Sequence, residues 1–241
     1  MHVYIDESGS FSIPKARKGP TISCCGALTL PTSRLDEVFE GFRGLTKDWP
    51  SDKGEIKGRL LSEEHFDSAL AFYAEDKLLL DAVAIDLGAH DPPLVYEHKG
   101  GTASNIAKNI RVARRDSMKT QLQELESLLR AMSLPPYVQI VMMTELLENA
   151  LRTNMRWLPL AAPGELSSFA WVIDGKDIAP TKMERLWSTL CLPWLETRSL
   201  SDPLLIESKA TIAICQRGSF SSSRVPLRTS HRTSTYPVNR F

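Results

Sequence analysis

Met1-His2-Val3-Tyr4-Ile5-Asp6-Glu7-Ser8-Gly9-Ser10 opens the chain, and its reading decides the fold. Val3, Tyr4 and Ile5 are β-branched or aromatic residues suited to a pleated strand, and Ser8-Gly9-Ser10 suits a turn. Asp6 therefore stands at or near the end of a strand. Neighbouring strand side chains point to opposite faces, so Asp6 and Glu7 cannot both enter one core while the strand persists. One of them is expected to face a site. The plainer alternative is an acidic turn after an edge strand.

Working outward, Lys53-Gly54-Glu55-Ile56-Lys57-Gly58 places a carboxylate and an ammonium two residues apart between glycines. Residues i and i+2 of an extended segment share a face, so Glu55 could bind a cation while Lys57 neutralises a phosphate oxygen. A Glu-x-Lys pair is also common in solvated loops. Phe169-Ala170-Trp171-Val172-Ile173-Asp174-Gly175 then repeats the logic of the opening, an apolar run that ends on aspartate before a glycine turn.

These motifs together resemble the domain of unknown function family 3800, whose members begin with a strand running into Asp-Glu-Ser-Gly. The resemblance spans roughly residues 1 to 209 through Tyr4-Ile5-Asp6-Glu7-Ser8-Gly9, Glu55-Ile56-Lys57-Gly58 and the run ending at Asp174. It implies an RNase H-like α/β fold, a mixed β-sheet flanked by helices with a helical insertion. It further implies that Asp6, Glu55 and Asp174 are metal ligands, supported by Lys57 and Glu7. The expected chemistry is two-metal hydrolysis of nucleic-acid phosphodiesters with Mg²⁺ or Mn²⁺. Hard oxygen ligands suit that work, and clustered carboxylates repel one another unless a cation is present.

The chain departs from that family at its far end, where a Gln-Leu-Ala-Asp-type helix normally supplies a further aspartate. No Asp or Glu follows Lys209, and residues 210 to 241 are rich in Ser, Thr and Arg. Either a basic tail grips nucleic acid, or the last catalytic element is lost. In the second case the alternative function is an RNase H-like module that binds nucleic acid or a protein partner without turnover.

Composition describes one globular domain with ample core, since the 241 residues are 42% hydrophobic and 24% charged. The formal net charge of zero hides an asymmetry. Five of the 29 Lys+Arg are Arg217, Arg224, Arg228, Arg232 and Arg240, which leaves 24 against 29 Asp+Glu and a body of net charge about −5. Such a body is not that of a non-specific DNA binder, although a local patch can overcome modest repulsion. Arg111, Arg114 and Arg115, with Lys108 and Lys119, form the best internal basic cluster; a solvated helix face is the competing reading.

Asp6 and Glu7 fall where a secretory apolar stretch would begin, and no membrane-length apolar run occurs, so cytoplasmic residence is expected. Cys24 and Cys25 are adjacent, Cys191 and Cys215 stand alone, and Glu63-Glu64-His65 lacks the second histidine of a zincin, so zinc is not expected. Adjacent Asp6-Glu7 fits neither Asp-x-Asp nor Asp-x-Glu enzymes. No phosphate-cradling or dinucleotide glycine loop is present.

Strands are expected near residues 2–6, 21–30 and 78–87, the first two paired as a hairpin. Helices are expected after Pro31 through Phe39 and Phe42, and after Ser62 through Phe66, Leu70 and Tyr73. Residues 103–132 read as one long helix or a helical pair. Beyond them come a strand at 137–143, a helix at 145–158, a strand at 169–174, a helix at 182–190 and a strand at 204–207.

Overall fold

A computed structural model describes residues 1–14 and 19–173, together with positions 190, 191, 194, 195, 198 and 202. Its strands are β1 (His2–Ser8), β2 (Ile22–Leu30), β3 (Leu79–Asp86) and β4 (Ala170–Ile173). Its helices are α1 (Leu35–Thr46), α2 (Glu63–Glu75), α3 (Pro92–Val112), α4 (Asp116–Ala131) and α5 (Leu134–Ala161). The architecture is α/β: a mixed four-stranded sheet in the order β3-β2-β1-β4. β1, β2 and β3 are antiparallel neighbours, and β4 lies parallel to β1.

The sheet separates two apolar layers, and strand alternation decides which residues enter each. Val3 and Ile5 of β1, and Cys25 and Ala27 of β2, face a large core completed by Ala103 and Ile106 of α3, Leu122, Leu125 and Leu129 of α4, and Ile140, Leu146, Leu147 and Ala150 of α5. Leu190 and Cys191 are buried in the same core. On the opposite face Tyr4, Leu28 and Leu30 pack with Val38 of α1, Phe72 and Tyr73 of α2, and Leu78.

α2 begins where Ser62 predicts, with the Ser62 N–H donating to His65 Nδ1 at 3.0 Å. Here histidine takes the part that glutamate or glutamine plays in the usual reciprocal cap. The helical pair expected over 103–132 is α3 and α4, with α3 starting earlier, at Pro92.

The strand expected at 137–143 is not formed; Tyr137 to Met143 lie inside α5. Pro135 and Pro136 fit the first turn of a helix, where a missing N–H costs nothing, and the preceding Ser133 is extended. The run is apolar nearly all round because α5 is buried between the sheet and the α3–α4 pair. A fully buried helix and a buried strand carry the same uninterrupted apolar signal, so periodicity does not distinguish them. The helix expected at 182–190, Leu190 apart, and the strand at 204–207 fall outside the described residues, as does the boundary near residue 209.

Among the described residues no helix is long and apolar enough to cross a membrane.

Candidate functional site

Asp6 stands near the end of β1, two residues before its last, Ser8, with β2 on one side and the end of β4 on the other. It projects on the face of the sheet that carries Tyr4, beyond the part covered by α1 and α2, and is exposed. Its Oδ1 accepts the Glu7 N–H at 2.8 Å, which orients the carboxylate.

The space in front of Asp6 is open because of what stands across from it. The register sets Asp6 opposite Gly26 of β2 and Gly26 opposite Ala82 of β3. A Cβ on Gly26 would meet nothing closer than the Asp81 carbonyl at 3.9 Å, so packing does not demand glycine there. Ala82 and Ala84 are exposed. Glycine inside a strand weakens it, and is found where a ligand or another backbone comes close. The register, which brings this flat floor against Asp6, could not be read from Ile22-Ser23-Cys24-Cys25-Gly26 alone, although the glycine itself was the available signal.

Glu7 lies on the other face, as strand alternation requires. Its register partner is Cys25, which is fully buried. Burial, then the neighbouring Glu7 carboxylate, pushes the Cys25 thiol up to about 12, so it stays protonated and inert at neutral pH. Cys191 is likewise raised to about 12 by burial. Cys24, Cys25 and Cys191 are free thiols.

Glu55 sits on the α1–α2 connection in a tight hairpin turn. Asp52 and Glu55 exchange backbone hydrogen bonds of 2.8 and 3.1 Å, and Lys53 and Gly54 between them have φ of 54° and 81°. Two successive positive φ values make the turn whose twist suits a hairpin, and Gly54 adopts its value without strain. The turn leaves the Glu55 side chain 67% exposed and ion-paired with Lys57. The two therefore share a face, as their spacing predicts, and Lys57 now neutralises Glu55.

Among the described residues, no group of three or more His, Cys, Asp or Glu side chains is arranged to hold a metal ion. Asp6, Glu7 and Glu55 do not form one, and Asp174 lies outside the described residues. The β1–β4 ladder runs His2↔Ala170, Val3↔Trp171, Tyr4↔Val172 and Ile5↔Ile173. It ends one residue before Asp6 in one strand and, in sequence, one residue before Asp174 in the other.

Two polar features were not anticipated from sequence. Glu165, in the turn before β4, receives the Met1 ammonium at 3.0 Å, the Thr32 N–H at 2.9 Å and the Ser33 N–H at 3.2 Å. Beneath the sheet, Asp81 Oδ1 accepts the Thr153 hydroxyl at 2.9 Å, and the Asn154 amide donates to Thr29 Oγ1 at 3.1 Å.

No family model matches the chain, and no curated protein or solved structure matches it. The family resemblance therefore rests on the short motifs around Asp6, Glu55 and Asp174.

Proposed function

We propose that the chain is a metal-dependent nuclease of RNase H-like fold, with its centre at the end of β1. The observation that carries this reading is the β1–β4 ladder, in which Ile5 pairs with Ile173 and aspartate is the next residue of each chain. In this reading Asp6 and Asp174 would supply hard oxygen donors at one end of the sheet, where open α/β sheets bind their ligands. Asp6 suits a cation: it is exposed, one oxygen is fixed by the Glu7 N–H, and Gly26 leaves room opposite.

Asp6, Asp174 and Glu55 would hold Mg²⁺ or Mn²⁺, with Glu55 exchanging Lys57 for the ion. When bound, the metal activates water and stabilises the leaving oxygen in phosphodiester hydrolysis. Asp6 contributes negative charge and orientation. Lys57, released from Glu55, is placed to neutralise a phosphate oxygen as a mobile point charge. The bare floor of Gly26, Ala82 and Ala84 lets a polynucleotide strand lie close to the sheet.

The test is cleavage of labelled single-stranded, double-stranded and hybrid DNA and RNA, with Mg²⁺, Mn²⁺ or chelator, by the wild-type chain and Asp6→Ala. Cleavage that chelator and Asp6→Ala both abolish is expected. Cleavage that survives Asp6→Ala rejects the site.

A second reading is favoured by the want of a three-group acidic cluster among the described residues. In it the fold binds nucleic acid or a protein partner without turnover. Mg²⁺ or Mn²⁺ then leaves the melting temperature unchanged, whereas a metal centre raises it in wild type and not in Asp6→Ala.

A further inference from the structure

We propose that the corner joining α3 to α4 is a binding surface for the phosphate backbone of nucleic acid. Lys108 and Arg111 lie at the end of α3, Arg114 and Arg115 in the connection, and Lys119 at the start of α4. The Ala113 N–H donates to the Asn109 carbonyl at 3.0 Å, and the Lys119 N–H to the Arg115 carbonyl at 3.1 Å. Each helix is thus hydrogen-bonded up to the connection, and only residues 113–115 separate them. Five cationic residues fall within the short stretch 108–119 that spans this connection.

The one carboxylate within residues 108–119 does little to offset them. Asp116 is 97% exposed and is engaged by Lys119 at 3.0 Å. Arg111, Arg114 and Arg115 are exposed, and among the described residues their guanidinium groups have no hydrogen-bond or ion-pair partner. Arg34, Arg43, Arg59, Arg130, Arg152 and Arg198 each pair with a carboxylate. Among the described residues, Arg156 apart, uncompensated guanidinium charge is concentrated at this corner.

The chemistry selects phosphate, and a nucleic-acid chain in particular. A guanidinium presents a planar fork that matches phosphate oxygens and sheds water more readily than an ammonium. A nucleic-acid strand offers a phosphate about every 3.4 Å along its axis, so neighbouring arginines can engage successive phosphates. An anionic membrane fits less well, because insertion needs exposed apolar side chains. Among the described residues none of the exposed large hydrophobic side chains lies between Tyr96 and Leu128, and Ile110, Ala113 and Met118 pack inward.

This surface does not depend on cleavage, so its test is run in chelator with the full chain. Fluorescence anisotropy of a short labelled DNA duplex and of a single-stranded RNA is followed over a salt series. The variants are Arg111→Gln/Arg114→Gln/Arg115→Gln and an equal-charge control, Arg43→Gln/Arg59→Gln/Arg130→Gln, with melting temperatures confirming that both fold. The first variant should weaken binding and reduce the slope of log K against log salt by about 2–3, one unit per lost phosphate contact. The control should retain the wild-type slope. The proposal is overturned if wild type binds neither nucleic acid, if both variants lose equally, or if the first behaves as wild type. Equal or tighter binding to polyglutamate or to phosphatidylserine vesicles overturns it too.

Discussion

Gly9 and Ser23 lie so close that no side chain fits between them: a Cβ on Gly9 would stand 2.4 Å from the Ser23 Oγ and 2.8 Å from its Cα. Gly9 also has φ of 108°, a conformation that residues with a Cβ rarely adopt. The same Ser23 Oγ accepts the Phe11 N–H at 3.1 Å, which locks the turn leaving β1 against β2. Gly9→Ala should therefore lower the unfolding free energy by about 2–4 kcal/mol. A urea titration checks this, and an unchanged midpoint means that the turn has no such constraint. Because Asp6 is carried on the same strand end, metal response should fall with it.

The Met1 ammonium lies 3.0 Å from Glu165 Oε2 and donates to the Ser168 carbonyl at 2.9 Å. Burial pushes Glu165 up, but the Thr32 N–H, the ammonium and the Ser33 N–H outweigh it and bring it down to about 2. A carboxyl depressed in the fold stabilises the protein fully above its unfolded value near 4.5 and ceases to do so as pH falls through about 2. Stability measured by denaturant should thus fall between those limits. Glu165→Gln should flatten that segment of the profile and cost on the order of 1–3 kcal/mol at neutral pH. A pH profile parallel to wild type contradicts the assignment.

Asp81 is the converse case. Burial raises its carboxyl above the usual range, and the Thr153 hydroxyl only partly restores it, while Oδ2 has no hydrogen-bond partner among the described residues. The folded state favours the protonated form, so this contribution to stability is complete at low pH and lost as pH rises through the raised value. Asp81→Asn keeps an acceptor for Thr153 without the charge. Its melting temperature should exceed wild type at pH 7, and the gain should shrink on acidification. A lower melting temperature at pH 7 would show the charge to be favourable.

Gly101 lies exposed within α3, and a Cβ there would meet no atom within 4 Å. Glycine inside a helix costs backbone entropy, and nothing in the packing asks for it. Gly101→Ala should stabilise the protein by about 0.5–1 kcal/mol, read from the urea midpoint. Destabilisation would mean that α3 uses the glycine in another conformation.

The three antiparallel strands were legible because each is a short alternating run bounded by turn residues, and β4 because it repeats the opening pattern. The interior helix was not. Tyr137 to Met143 is rich in Val, Ile and Met, and its helical identity comes from burial on all sides, a tertiary fact that local pattern does not encode. For the site, Asp6 and the shared face of Glu55 and Lys57 followed from strand and turn chemistry. The opposition of Asp6 to Gly26 did not, since register is fixed by how two strands pack. Glu165 was invisible for the same reason: its partners Thr32 and Ser33 lie more than a hundred residues away.

The pairing of β1 with β4 also sets a timetable. Ala170 is made 168 residues after its neighbour His2. At typical synthesis rates of about 5–20 residues per second, one edge of β1 waits roughly 10–30 s for its partner. During that interval Val3, Tyr4 and Ile5 present a strand edge to the cell. A nascent chain is therefore open to mispairing and to chaperone capture along this edge of β1 until β4 arrives.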